Sequence, residues 1–182
     1  GSNFLVKYSS TGELIPQFGN NGVFEITDLA GKDLQGVTVE ANGSIVITGG
    51  DIDPYFDSSH PTNGIYIARI SSDGSIQYST THVLGYDYHD DEPALNGIYS
   101  KDNGDFILAG TIDVTFGPDF NFYTALIDND FSINNSQEFD NDFDERVEKY
   151  LPLPNGQGLL VGWNNNRGGT DGLPKFIQVR RI

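Results

Sequence analysis

The chain is 182 residues long and carries 26 acidic against 10 basic side chains, a formal charge of -16. That field repels phosphate backbones and anionic lipid, so nucleic acid is not expected as a partner. The absence of cysteine excludes disulfides, thiolate zinc centres and cysteine nucleophiles, and no apolar run reaches the roughly 18 residues needed for membrane insertion as a helix.

Twenty-two glycines and an aromatic content of 12% favour strands joined by tight turns. The chain opens on a strand-like run, "FLVKYSSTGEL" from Phe4. A four-strand unit follows: "LQGVTVE", "SIVITGG", "IYIARIS" and "SIQYSTTHVL". We label its strands a, b, c and d. The pattern restarts near Leu95 and again near Val147, and the last strand is "FIQVRRI" from Phe176. Asn42-Gly43, Asn103-Gly104 and Asn155-Gly156 mark three equivalent a-to-b hairpins. Asn-Gly between strand-like runs predicts two-residue type I′ turns, with positive φ at both central positions.

The spacing of about 50 to 60 residues belongs to repeat arrays. It divides the chain into a partial unit (1–32), two whole units (33–91 and 92–144) and a final partial unit (145–182). The expected fold is all-β, a single β-propeller-type array of four-stranded antiparallel blades without significant helix. The order c, d, two full sets, then a, b, c does not close cleanly. Its open blade edges invite self-association.

The segment "FGNNGVFEI" at residues 18–26, with "EANGSIVITGG" downstream, resembles the delta-60 repeat family of bacterial β-propellers. Later units carry "QYSTTHVLGYD" and "NNSQEFDNDFDE" in place of the Phe-Gly element. The resemblance implies an extracellular, periplasmic or cell-surface bacterial protein with a binding or scaffolding role, and it carries over no catalytic residue. The opening Gly1-Ser2 resembles the remnant of a cleaved tag, so any signal peptide or lipid anchor is expected outside this sequence.

Antiparallel alternation puts the a-to-b and c-to-d turns at one end of a unit and the longer connections at the other. Long loops on a rigid scaffold are where binding residues concentrate. Here they carry aromatics beside amides, carboxylates or arginine: Tyr55, Phe56 and His60; Phe116, Asp119 and Phe120; Trp163, Asn164, Asn165, Asn166 and Arg167. Flat rings beside planar hydrogen-bonding groups suit a carbohydrate or protein ligand. The plainer reading is that the rings fold back over the strand ends.

Two d-to-a connections carry alternating acids, Asp87, His89 and Asp91 in one, and Asp140, Asp142 and Asp144 in the other. Alternating carboxylates can turn several oxygens onto calcium. Solvated acidic turns are the competing reading, because Glu145 and Leu151 occupy the positions where an EF-hand has glycine and glutamate. Zinc would need Asp87 and His89 to find a partner from another loop, since His60, His82 and His89 lack ligand spacing. No nucleophile elbow, zincin or phosphate-loop motif is present, so the balance is against an enzyme. The sequence predicts a non-enzymatic binding module. A glycan-degrading hydrolase using paired acids on the same face and a structural module of a larger propeller stand as alternatives.

Overall fold

A computed structural model describes residues 2–27, 32–51, 64–83, 94–113, 120–139, 144–153, 157–165 and 176–181. Its strands form four antiparallel sheets, and no α-helix occurs among the described residues. The first sheet pairs β1 (Asn3–Val6) with β2 (Val23–Ile26). The second is ordered β3 (Lys32–Val39), β4 (Ile45–Asp51), β5 (Gly64–Ile70), β6 (Ile76–Val83). The third runs β7 (Ala94–Ser100), β8 (Phe106–Asp113), β9 (Phe120–Ile127), β10 (Ile133–Phe139). The fourth has three strands, β11 (Asp144–Pro152), β12 (Gly158–Asn165) and β13 (Phe176–Arg181). The a, b, c, d order inferred from the repeat is thus the order in which the strands hydrogen-bond.

The described a-to-b and c-to-d tight turns follow one geometry, which at Asn42-Gly43 and Asn103-Gly104 differs from the expected type I′, while Asn155-Gly156 lies outside the described residues. In the β3–β4 hairpin the Gly43 N–H donates to the Glu40 carbonyl (2.9 Å) and the Glu40 N–H donates to the Ser44 carbonyl (2.9 Å). Gly43 has φ of 85°, whereas Asn42 is not in the positive-φ region. This is a three-residue loop closed by a left-handed residue, a type I turn with a G1 bulge. The Asn42 side chain explains the choice, because its Oδ1 accepts from the Ser44 N–H at 2.8 Å and favours a right-handed conformation at its own position. The same pair of bonds closes the turns from Ser9, Ser71, Lys101 and Asp128. In the last of these the left-handed position holds Phe131, at φ 68°. Its ring is 1% exposed and packs 5.8 Å from Phe106, so burial offsets the strain of a side chain there.

A second repeated device lies in the first strand of each of the last three sheets. The register shifts between Leu34 and Gly36, between Leu95 and Gly97, and between Val147 and Lys149, one extra residue each time. Such a bulge changes which face the following residues meet. Val147 and Tyr150 are an odd number of positions apart, yet both lie in one buried cluster.

The chain forms two compact units, residues 1–84 and 85–182. In the first, Phe18 and Ile26 pack on Ile45, Ile47, Tyr66, Ala68 and Ile70 of the second sheet. In the second, Val147, Tyr150 and Leu160 of the fourth sheet pack on Ala109 and Phe122 of the third. The middle strands are buried on both faces: Val46 and Ile47, Ile67 and Ala68, and Leu108 and Ala109 are each 0% exposed. Their near-continuous apolar sequences follow from that double burial.

Candidate functional site

Within each sheet the tight turns share one end. The chain segments 52–63, 84–93, 114–119, 140–143 and 166–175, which join β4 to β5, β6 to β7, β8 to β9, β10 to β11 and β12 to β13, leave from the other. Tyr55, Phe56, His60, Asp87, His89, Asp91, Phe116, Asp119, Asp140, Asp142, Asn166 and Arg167 fall in those segments, outside the described residues.

Five expected loop residues, Phe120, Asp144, Trp163, Asn164 and Asn165, are instead in strands. Phe120 is the first residue of β9 and pairs with Asp113. Trp163 and Asn165 continue β12, opposite Arg146 and Asp144, and Asp144 opens β11. The reason is that β12 is paired on both sides as far as Asn164, with Glu145 on one side and Phe176 on the other, so ladder bonds hold the segment extended. The register therefore places Trp163, Asn164, Asn165, Asp144, Glu145 and Arg146 on neighbouring rungs at the long-connection end of one sheet. His82 is half-buried in β6, opposite Ile65.

Carboxylates at the tight-turn end serve the turns. Asp128 Oδ1 accepts from the Ser132 N–H at 2.8 Å, and Asn134 Nδ2 donates to Asp128 Oδ2 at 2.9 Å. The Ser71 hydroxyl, and then that of Ser75, hold the Asp73 carboxyl below its ordinary pKa. A side-chain hydrogen bond with Asp128, followed by one with Ser132, does the same for Asp130. Among the described residues no group of three or more His, Asp or Glu side chains could hold a metal ion. No helix there is long and apolar enough to cross a membrane.

Sequence reasoning missed one depression. It is lined by Ile107, Thr124, Ala125, Leu126, Asn135, Gln137 and Tyr150, with a cavity volume of about 130 Å³. The only sequence signal for it is the polar run 134–137 in β10. Small-molecule sites usually measure about 300 Å³ or more, so this one accommodates a single ring or side chain. Burial pushes the Tyr150 phenol upward, with the Tyr99 ring 4.9 Å away adding to it, and burial does the same for Tyr123.

No family model matches the sequence, and no curated protein matches it. The crystal structure of a protein of unknown function from Bacteroides caccae is similar over 97% of this chain, with a TM-score of 0.51 and 13% identity. The match takes in 53% of that protein, so this chain spans about half its length. At such identity the likeness extends to the fold alone.

Proposed function

We propose that this chain is a non-enzymatic binding module of β-propeller type, displayed outside the cell, that takes carbohydrate at the long-connection end of its sheets. The observation that carries the reading is the cluster on the β11–β12 ladder, where Trp163 stands opposite Arg146, Asn164 opposite Glu145 and Asn165 opposite Asp144. Strand alternation puts the positions of Trp163, Arg146, Asn165 and Asp144 on one face of the ladder and those of Asn164 and Glu145 on the other, so an indole, a guanidinium, an amide and a carboxylate share one face, residue types that suit a sugar. Extracellular display is supported by the delta-60 resemblance.

The propeller-type arrangement is supported by how the sheets use their faces. The first sheet packs on the Tyr66, Ala68 and Ile70 face of β5. The fourth packs on the Ile107 and Ala109 face of β8, whose repeat counterpart in β4 is the Val46 and Thr48 face, opposite in sense to the one the first sheet covers. A repeat that takes a neighbour on each face suits radial repetition.

Glycan-array binding, run beside a reducing-sugar assay, tests the proposal. Saturable binding without release of reducing ends is expected, with Trp163→Ala lowering the signal about tenfold or more at unchanged circular dichroism. Release of reducing ends would establish the hydrolase instead, and no glycan signal with a captured protein would establish a protein ligand. Calcium at Asp87, Asp91, Asp140, Asp142 and Asp144 belongs to the same reading. It is withdrawn if a chelator leaves melting temperature and binding unaltered.

A further inference from the structure

The depression beside Tyr150 lies at the tight-turn end of the third sheet, away from the Trp163 rungs. Leu126 stands between Ile107 and Asn135 on one rung, and Thr124 stands opposite Gln137 on another. Strand alternation turns these five positions to one face, the face on which Phe122 packs with Tyr150 of the fourth sheet. Ile107 and Leu126 are half-buried, Asn135 and Gln137 are exposed at the rim, and Tyr150, 4% exposed, closes one side. Thr124 is only 6% exposed, yet its hydroxyl has no hydrogen-bond partner among the described residues.

The repeat shows how this lining departs from its counterpart. In the second sheet the same rungs hold Arg69 between Val46 and Tyr78, and Ile67 opposite Thr80. There Arg69 Nε donates to Glu40 Oε2 at 2.9 Å, and Ile67 is 0% exposed. In the third sheet leucine replaces the arginine, asparagine the tyrosine and threonine the buried isoleucine. The exchanges remove bulk and charge, and they place a hydroxyl where the repeat accepts a hydrocarbon. A buried hydroxyl without a partner is unfavourable. A bound molecule with its own donor and acceptor removes that penalty.

The lining narrows the occupant. Among the described residues neither a carboxylate nor a cationic side chain lines the depression, so it offers no charge to a metal ion or an anion, and the net charge of -16 repels anions in any case. Its volume of about 130 Å³ admits a group of side-chain size. Such a group is neutral, apolar at one end for Ile107, Leu126 and the Tyr150 ring, and carries a donor and an acceptor for Thr124 and the two amides. An acetamido group has all of these properties: a methyl for the aliphatic floor, an N–H that can donate to the Thr124 hydroxyl, and a carbonyl that can accept from Asn135 or Gln137. We propose that the depression is a second carbohydrate subsite, which takes the acetamido group of an N-acetylated amino sugar. The inference rests on the carbohydrate reading for the class of ligand, and not on the Trp163 rungs.

Saturation-transfer NMR with the methyl glycoside of N-acetylglucosamine, run beside methyl glucoside and Nε-acetyl-lysine, tests it. The acetamido sugar is expected to bind about tenfold or more tightly than methyl glucoside, with the strongest transfer at its acetyl methyl. Asn135→Tyr restores the second sheet's residue at an exposed position and is expected to abolish that binding. Thr124→Val is expected to weaken it several-fold at unchanged circular dichroism. Should Thr124→Val lose its native circular dichroism, Gln137→Ala at the exposed rim carries the test with the same expected loss. Absence of binding by the acetamido sugar, equal binding of methyl glucoside, equal binding of Nε-acetyl-lysine, or unchanged binding in the rim variants overturns the inference. Loss of the acetamido sugar in Trp163→Ala alone also overturns it, and leaves the proposed ligand site standing. A preference that survives Trp163→Ala, while the glycan-array signal survives as well, removes the Trp163 rungs and supports this subsite.

Discussion

The two units solve one problem with different chemistry. In residues 1–84 a partial sheet is fastened to a whole one by backbone. The Gly19 N–H donates to the Asp73 carbonyl at 2.8 Å, and a Cβ on Gly74 would lie 2.5 Å from the Gly19 nitrogen. Lys7 Nζ donates to the Ser72 carbonyl at 2.8 Å, with its ammonium 5.5 Å from the centre of the Phe18 ring. In residues 85–182 the joint is made by side chains. The Val147 N–H donates to Thr111 Oγ1 at 3.0 Å, the Tyr150 N–H to the Tyr99 hydroxyl at 3.3 Å, and the two tyrosine rings pack together, Tyr150 over Gly158 and Tyr99 over Gly97. The first joint depends on the absence of side chains, the second on their identity. The Phe-Gly-x-x-Gly element is present where the backbone joint is, and its physical role is to seat Phe18 and bring Gly19 against the next turn.

Substitutions can separate the two joints. The largest effect is expected from Phe18→Ala, since removing a ring that is 1% exposed leaves a cavity worth about 3 to 5 kcal/mol. Urea unfolding should show that loss in the first unit. Next comes a matched pair at the turns. Gly74 and Gly104 have φ of 90° and 88°, but nothing lies within 4 Å of a Cβ on Gly104. Gly104→Ala is expected to cost about 1 to 2 kcal/mol for its conformation alone, and Gly74→Ala about 2 to 4 kcal/mol once the overlap with Gly19 is added. Equal melting temperatures for the pair would mean that the backbone joint contributes nothing. In the second unit, Thr111→Val deprives the Val147 N–H of its acceptor at a site 1% exposed, which is expected to cost about 1 to 3 kcal/mol.

The smallest effect is alkaline. Tyr123 and Tyr150 have pKa values raised from 10.0 by burial in the folded chain. A phenol of this kind contributes stability that is fully present below pH 10 and is lost as pH rises through the folded pKa. Unfolding midpoints of the second unit should therefore fall above pH 10, and Tyr150→Phe should flatten that fall. A variant with the wild-type slope would remove Tyr150 from the explanation.

The order of strands was legible in the sequence because period-two alternation and turn residues recur in register with one another. The turn type was not. Asn-Gly satisfies two hairpin geometries, and what separates them is whether the Asn side chain caps the next strand, as Asn42 does for Ser44. Phe131 gives no turn signal at all, since its left-handed φ is stabilised by distant packing on Phe106. The candidate site was legible as an end of the sheets more than as a set of contacts. Trp163, Asn164, Asn165, Phe120 and Asp144 were read as loop residues because polar and aromatic composition marks a strand's last rungs and a loop's first residues alike.

The bulges in β3, β7 and β11 have a consequence for how such a chain can change. Each acts as a parity switch: residues on its two sides obey opposite in-out rules, and the extra residue reconciles them. Deleting Glu148 would keep every neighbouring residue type yet turn Val147 or Tyr150 away from the cluster they share. A single-residue deletion there is more disruptive than most substitutions, while the identity of the bulged residue is free to drift, as Gln35, Asn96 and Glu148 already have. Frame, not letters, is what these repeats hold in common.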